Sequence, residues 1–239
     1  MKFQNAPNIV ILLDPRGIIY KGGMDVVARQ NKYGHQLRLL SKKSKLNFVV
    51  FSTSTYVKTY YALEFINILR ISKPTFNSFL FSIKSYRHIK SQNLNVKLLI
   101  ASDPWESFWS AYFLNRFFSK KIPIQIQVHG DIADPKWRRI NFRNRFRYSL
   151  AKLSLSKASS VRAVTKYQAE NLVNAFSIKS EKIVVVPVPI TVASKVVALK
   201  SERPKTIGLV GRIHQDRGIW EFIRPVSYTH LTLPTIYSV

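Results

Sequence analysis

"VKLLIASDPWESFWSAYF", residues 96–113, joins two periodicities across a single dipeptide. Up to Ser102 it is a short apolar run, the length and composition of a buried strand. Beyond it, Trp105, Phe108, Trp109 and Tyr112 recur at the spacing of one helix face. Between them stands Asp103-Pro104, a side-chain acceptor for unpaired helix N–H groups followed by the one residue with no N–H to leave unpaired. A strand that becomes a helix within two residues is half of a βαβ unit.

The same alternation extends in both directions. "NIVILLD" (8–14) reads as a buried strand, followed by the loop "PRGIIYKGG" and a helix over 24–40 with Val26, Tyr33, Leu37 and Leu40 inward. "LNFVVFS" (46–52) and "EFINILRI" (64–71) read as strands, and Phe76, Phe79, Leu80 and Ile83 mark the inner face of another helix. "IPIQIQV" (122–128) runs into a second cap, Asp134-Pro135. A long basic helix is expected from there to about residue 157, burying the row Phe142, Phe146, Leu150 and Leu153. "SSVRAVT" and "KIVVVPVP" are two more strands, around a helix whose face is Ala169, Leu172, Val173 and Phe176. The fold class is α/β, a Rossmann-like parallel sheet with helices on both faces, over residues 1–190. Residues 191–204 read as a linker and 205–224 as the first βα unit of a second Rossmann-like domain, only begun. Residues 225–239 abandon helical periodicity at Pro225 and read as a non-native, adapter-derived tail.

Of 239 residues, 46% are hydrophobic and 13% aromatic, enough for a packed core and unlike a disordered chain. Cysteine is absent, which excludes a disulfide framework and a thiolate metal site. The N-terminal apolar run is too short for a signal-peptide core, so a periplasmic sugar-binding protein is not expected. Thirty-eight bases against 12 acids leave a net charge of +26. Such a charge favours an anionic membrane surface, nucleic acid or anionic substrates, or else reflects lysines scattered in solvent.

In a parallel sheet the loops after the strands share one edge, where ligands bind. Gly22-Gly23, after the first strand, lets a backbone approach an anion or simply makes a tight turn; the spacing is not a dinucleotide fingerprint. His129, followed by Gly130-Asp131, can exchange hydrogen bonds with a sugar hydroxyl or phosphate oxygen, or can be an ordinary loop residue. No metal-ligand spacing accompanies it. Arg139, Arg143 and Arg147, four apart, form a basic ridge suited to lipid headgroups or to RNA, or a solvated outer face. In "GLVGRIHQDRG" (208–218), Arg212 and Arg217 flank a glycine-bounded loop suited to a diphosphate.

Taken in order, these motifs resemble the retaining GT-B glycosyltransferases of the family-4 type. The likeness rests on Gly22-Gly23, "ASDPWESFW" (101–109), Gln127-Val128-His129, "KIVVVPVPI" (182–190) and "GRIHQDRG" (211–218), where Arg217 replaces the family's Lys. The resemblance implies a two-domain enzyme with the acceptor on the first domain and a nucleotide-sugar on the second. His129 would be the catalytic-centre residue, Gly22, Gly23 and Asp131 substrate contacts, and Gly211, Arg212 and Arg217 the holders of the donor diphosphate. It implies no resident metal or cofactor, a retaining transfer, and a lipid-linked or growing envelope glycan as acceptor. The place is then the cytoplasmic side, peripheral at the inner face of the cell membrane, with Arg139, Arg143 and Arg147 toward its anionic surface and no nucleic acid partner. The family's Glu-x7-Glu donor segment does not occur here, so the chain reads as a fragment inactive by itself. The alternative is a non-catalytic basic α/β module that binds nucleic acid or another polyanion.

Overall fold

Alternating side chains of each strand feed two separate apolar layers, and this creates the architecture. In the computed structural model, residues 7–21, 23–41, 46–55, 60–73, 77–188 and 219–228 are described. The strands are β1 (Asn8–Asp14), β2 (Asn47–Thr53), β3 (Tyr60–Ala62), β4 (Ile66–Ser72), β5 (Asn95–Ala101), β6 (Ile124–Gln127), β7 (Ser160–Ala163) and β8 (Ile183–Val185). They form one sheet in the order β3-β4-β2-β1-β5-β6-β7-β8. All pairings are parallel except β3 with β4. The short antiparallel edge strand β3 falls in a stretch whose sequence carries no strand signal.

Ile9, Ile11 and Leu13 of β1 enter one core with Phe51, Leu99 and Ala101, while Val10 and Leu12 enter the other with Phe48, Val50 and Ile68. This period-two division matches a sheet covered on both faces. The second layer is capped by α1 (Ile18–Lys21) and α2 (Gly23–Leu40), through Ile19, Val26, Val27, Tyr33 and Leu37. The first is capped by α3 (Ser78–Ser91), α4 (Glu106–Arg116), α6 (Phe142–Lys157) and α7 (Lys166–Phe176). A short α5 (Pro135–Arg139) precedes α6.

Several inward faces differ from the sequence reading. Leu40 is 88% exposed because it closes the last turn of α2, beyond the sheet. Helix α3 buries Phe81, Ser82, Ser85 and Ile89, leaving Phe79 and Leu80 half exposed; Phe76 lies outside the described residues. The single basic helix expected to residue 157 is two helices, because Asn141 starts a new one: its side chain accepts from the Asn144 N–H at 2.8 Å. Of the row expected to be buried, Phe142, Phe146 and Leu153 face out and only Leu150 is half-buried, while Asn144, Ala151, Ser154 and Leu155 face the sheet. Small side chains let the helix approach the strands closely.

The chain divides into two compact units, Met1–Ile190 and Thr191–Val239. In the second, helix α8 (Ile219–Tyr228) continues past Pro225, where the sequence reading ended it. A proline removes one N–H donor and strains one turn, a cost of about 3 kcal/mol that need not end a helix.

Candidate functional site

The strand order reverses between β1 and β5: the chain builds outward from β1 through β2 and β4, then returns to β1's other side. Such a switch point opens a crevice at the carboxyl ends of the two strands. Here the loops after β1 and β5 meet, and the loop after β6 leaves the same edge of the sheet.

Asp14, at the end of β1, accepts hydrogen bonds from Ile18 N (3.0 Å), Ile19 N (2.9 Å) and Ser52 Oγ (2.8 Å), so it caps α1. Gly17 then turns the chain at φ +67°, where a Cβ would run into the Thr53 carbonyl. That turn carries Arg16 across the crevice, where its Nη2 pairs with Asp103 Oδ2 at 2.8 Å. Asp103 is buried. Its Oδ1 accepts from Trp105 N (2.8 Å) and Ser107 N (3.3 Å), and its Oδ2 from Ser107 Oγ (2.8 Å). It therefore organises the start of α4 as read from the sequence, although the helix proper opens at Glu106. Burial pushes its carboxyl above the ordinary aspartate value, while Arg16, Ser107 and Trp105 pull it down. Arg16, which the sequence reading passed over, is the residue that spans the switch point.

His129 stands beyond β6, open to solvent, with Nε2 3.3 Å from the Oε1 of buried Gln127. An amide oxygen only accepts, so Nε2 carries the proton and Nδ1 keeps a free lone pair. The imidazole's pKa is lowered to about 4, first by loss of hydration among surrounding protein, then by the charges of Arg162 and Arg29. Solvent at the ring's open edge weakens the first cause, but both arginines act in the same direction, and the ring is neutral at pH 7. Arg162 itself is buried on β7; it donates to Val186 O (3.1 Å), Pro187 O (3.1 Å) and Tyr33 Oη (2.7 Å) and lies over the Tyr33 ring at 4.7 Å.

The loop past His129 is tied to α7. Buried Gln168 donates to Gly130 O at 2.8 Å and accepts from Val164 N at 2.8 Å. Asp131 Oδ2 accepts from Asn171 Nδ2 at 3.3 Å, whereas its Oδ1 is buried with no hydrogen-bond partner among the described residues. Asp131 is also one of the residues lining a recess of about 320 Å³, together with Ala133, Asp134, Pro135, Tyr167, Asn171 and Asn174 among others. Two carboxylates, two carboxamides and a phenol ring make a surface suited to hydroxyl groups.

The three arginines of the expected basic ridge do not join this cluster. Arg139 and Arg143 are exposed, on α5 and α6. Arg147 leaves the expected ridge: its Nη2 lies 3.4 Å from Glu106 Oε1 and its guanidinium 4.6 Å over Trp105. Trp105 in turn stacks on Trp137, so Arg147 braces α6 against α4 and α5. Gly23 opens α2, while Gly22, Gly211, Arg212 and Arg217 lie outside the described residues. Among the described residues no three His, Asp or Glu side chains converge on a common point, and no helix is long and apolar enough to cross a membrane.

Residues 25–193 match the model of Glycosyltransferase Family 4. The chain belongs to this family. No curated protein matches the sequence. Among solved structures, sucrose-phosphate synthase from Thermosynechococcus elongatus superposes with a TM-score of 0.55 at 16% identity, covering 76% of this chain and 48% of that one. UDP-N-acetylglucosamine 2-epimerase from Rickettsia bellii aligns at 14% identity and a TM-score of 0.44, over 75% of this chain and 44% of that one. The chain thus spans about half the length of the structures it matches. At these identities the first likeness concerns the fold: the sheet of this family-4 member is that of a GT-B glycosyltransferase half.

Proposed function

We propose that the protein is a retaining glycosyltransferase that moves a sugar from a nucleotide-sugar to a lipid-linked or growing envelope glycan, such as capsule, lipopolysaccharide or exopolysaccharide. It works without a resident metal, at the inner face of the cell membrane. The observation that carries this reading is the loop His129 to Asp131, held at the carboxyl edge of a family-4 sheet by Gln127 and Gln168.

In this reading the Nδ1 lone pair of His129 accepts a hydrogen bond from a hydroxyl of the transferred sugar, which an imidazolium could not do. The unpartnered Oδ1 of Asp131 takes a hydroxyl of the acceptor, supplying the donor that this buried oxygen lacks. Gly22 and Gly23 belong to the substrate side, and Gly211, Arg212 and Arg217 hold the diphosphate as its negative charge grows. The bond from the sugar's anomeric carbon to the phosphate oxygen breaks, and the acceptor oxygen bonds to the same face. The acceptor's proton passes to the departing phosphate. In this reading the chain by itself binds sugar without turning over.

The test has two arms. Saturation-transfer NMR with methyl glycosides on the present chain should show binding that Asp131→Ala weakens at least several-fold. The gene's full product, incubated with radiolabelled nucleotide sugars and membrane lipid extract, should move label into the lipid phase with the anomeric configuration retained. Label released only as free sugar, or a product of inverted configuration, refutes the assignment.

A further inference from the structure

Helix α6 presents two opposed faces. Asn144, Ala151 and Leu155 point at the sheet, and half a turn away Phe142, Phe146, Ser149 and Leu153 follow one another at i, i+4, i+7 and i+11. Phe142 is 80% exposed, Phe146 57% and Leu153 52%, and Ile140, in the break before the helix, is 57% exposed. Large apolar side chains set singly on a surface are ordinary, but three along one helix face, with a fourth exposed just before the helix, form a patch that calls for an occupant. Helical spacing puts Arg145 and Lys152 along one side of this line and Arg143 along the other, all exposed. Over residues 135–157 the sequence holds eight bases and no acid.

We propose that this face inserts Ile140, Phe142, Phe146 and Leu153 into the interfacial layer of an anionic bilayer, while Arg139, Arg143 and the bases beside them meet the lipid phosphates. The proposal deepens the membrane partner of the proposed function; the surface is argued from exposure and charge alone. An apolar line edged by cations on a helix lying flat is the arrangement that binds in the plane of a membrane interface. A second copy is disfavoured as occupant, since a two-fold contact would stack this acid-free face on itself. RNA would find cations, yet Ile140 and Leu153 offer no aromatic plane on which bases stack. Acyl chains accept aliphatic and aromatic side chains alike. Arg147 takes no part in the docking, being held by Glu106 and Trp105.

The experiment is flotation of the whole chain with vesicles of equal parts phosphatidylglycerol and phosphatidylcholine. Phe142→Ser/Phe146→Ser should lower the partition coefficient roughly tenfold or more, because most of both side chains is available for burial. Arg139→Gln and Arg143→Gln should lower it about fivefold each at low salt. In about 0.5 M salt the arginine effects should fade while wild type still binds better than the double-serine variant. The chain has no cysteine, so a nitroxide at Ser149→Cys labels the face alone without altering the phenylalanines. That label should become accessible to oxygen and shielded from aqueous nickel chelate on vesicles, whereas one at Ser91→Cys on α3 should stay aqueous. An aqueous Ser149 label, unchanged partition of the double-serine variant, or tighter binding to a single-stranded RNA than to vesicles at equal ionic strength overturns the proposal. Vesicle binding without sugar transfer by the full product leaves the surface standing and removes the enzyme reading; transfer without vesicle binding does the reverse.

Discussion

The ion pair across the switch point lends itself to a double-mutant cycle between Asp103 and Arg16. Asp103→Asn keeps an oxygen for the Trp105 and Ser107 N–H groups, at 2.8 and 3.3 Å, but turns an amide NH2 toward Arg16 Nη2, 2.8 Å away. Ser107 Oγ can redirect its proton to Ser102 Oγ, also at 2.8 Å, so little is lost there. The cost is then mainly a donor facing a donor beside a half-buried cation, about 2–3 kcal/mol. The Arg16 side chain is 32% exposed and can swing toward water, which keeps the figure below that of a fully buried pair. Arg16→Met leaves the Asp103 carboxylate with its other three donors and should cost about 1–2 kcal/mol. In the double variant the opposed donors are gone, so the loss should fall short of the sum by about 1 kcal/mol. The assay is urea unfolding followed by tryptophan fluorescence, to which Trp105 contributes from within this network, and by circular dichroism, their coincidence establishing a single transition. Losses that add to within about 0.3 kcal/mol would mean that the 2.8 Å contact does not hold the two loops together.

Three further outcomes follow from the same loops. In histidine NMR, His129 should titrate near pH 4, and Arg162→Met should raise that midpoint while leaving it under 6.5, because lost hydration heads the causes. Since the folded pKa is the lower one, an unfolded chain takes up this proton first on acidification, so the stability His129 contributes should decline as the pH falls from 6.5 toward 4. Gly17→Ala combines a left-handed backbone with a Cβ driven into the Thr53 carbonyl and should cost roughly 2–4 kcal/mol in thermal or urea melts; Gly130→Ala, with nothing within 4 Å of the added methyl, should stay within about 0.5 kcal/mol. Asn141→Ala should remove about 1 kcal/mol and speed amide exchange at Asn144, whose N–H the Asn141 side chain holds; unchanged exchange would show that the break between α5 and α6 has another cause.

Apart from the short edge strand β3, strand identity was plain in the sequence because central strands, buried on both faces, are continuously apolar, as in Ile9 to Leu13. Helix orientation was less so, for a reason visible in α3 and α6. Their inner faces use serine. Ser82 Oγ shares its one proton between Ser78 O at 2.6 Å and Ser110 O at 2.8 Å, and Ser154 Oγ donates to Ala151 O at 3.0 Å. A hydroxyl satisfied on helix backbone is small enough for close packing and costs little to bury, so the polar-looking face is the inner one. With the aromatics outside, a rule that equates large apolar side chains with burial inverts the helix. The place of His129 and Asp131 just past β6 was legible because strand ends are local features. The role of Arg162 was not: its phenol partner, Tyr33, is 129 residues away in sequence, and only the topology brings the two together.

The net charge of +26 looks like a single property, but the structure separates it into two. Of the 12 acids, Asp14, Asp103, Glu106, Asp131 and Asp134 all stand at the carboxyl edge of the sheet or in the first turn of a helix that starts there. Asp14, Asp103 and Asp134 cap turns or helices; Glu106 pairs with Arg147 across two helices. Asp131 has an oxygen that the described residues do not satisfy. Acids are thus kept where loops must be held at the crevice, and α5 and α6 have none. Scattered codon bias would thin acids evenly over both regions. Five acids at this edge and none on α5 or α6 make the carboxyl edge and the cationic surface distinct parts of one small domain. Such a surface acts over about a Debye length of 8 Å in physiological salt. Beyond that distance it cannot hold the chain at a membrane, so the apolar line through Phe142 and Phe146 is what would make its contact persist.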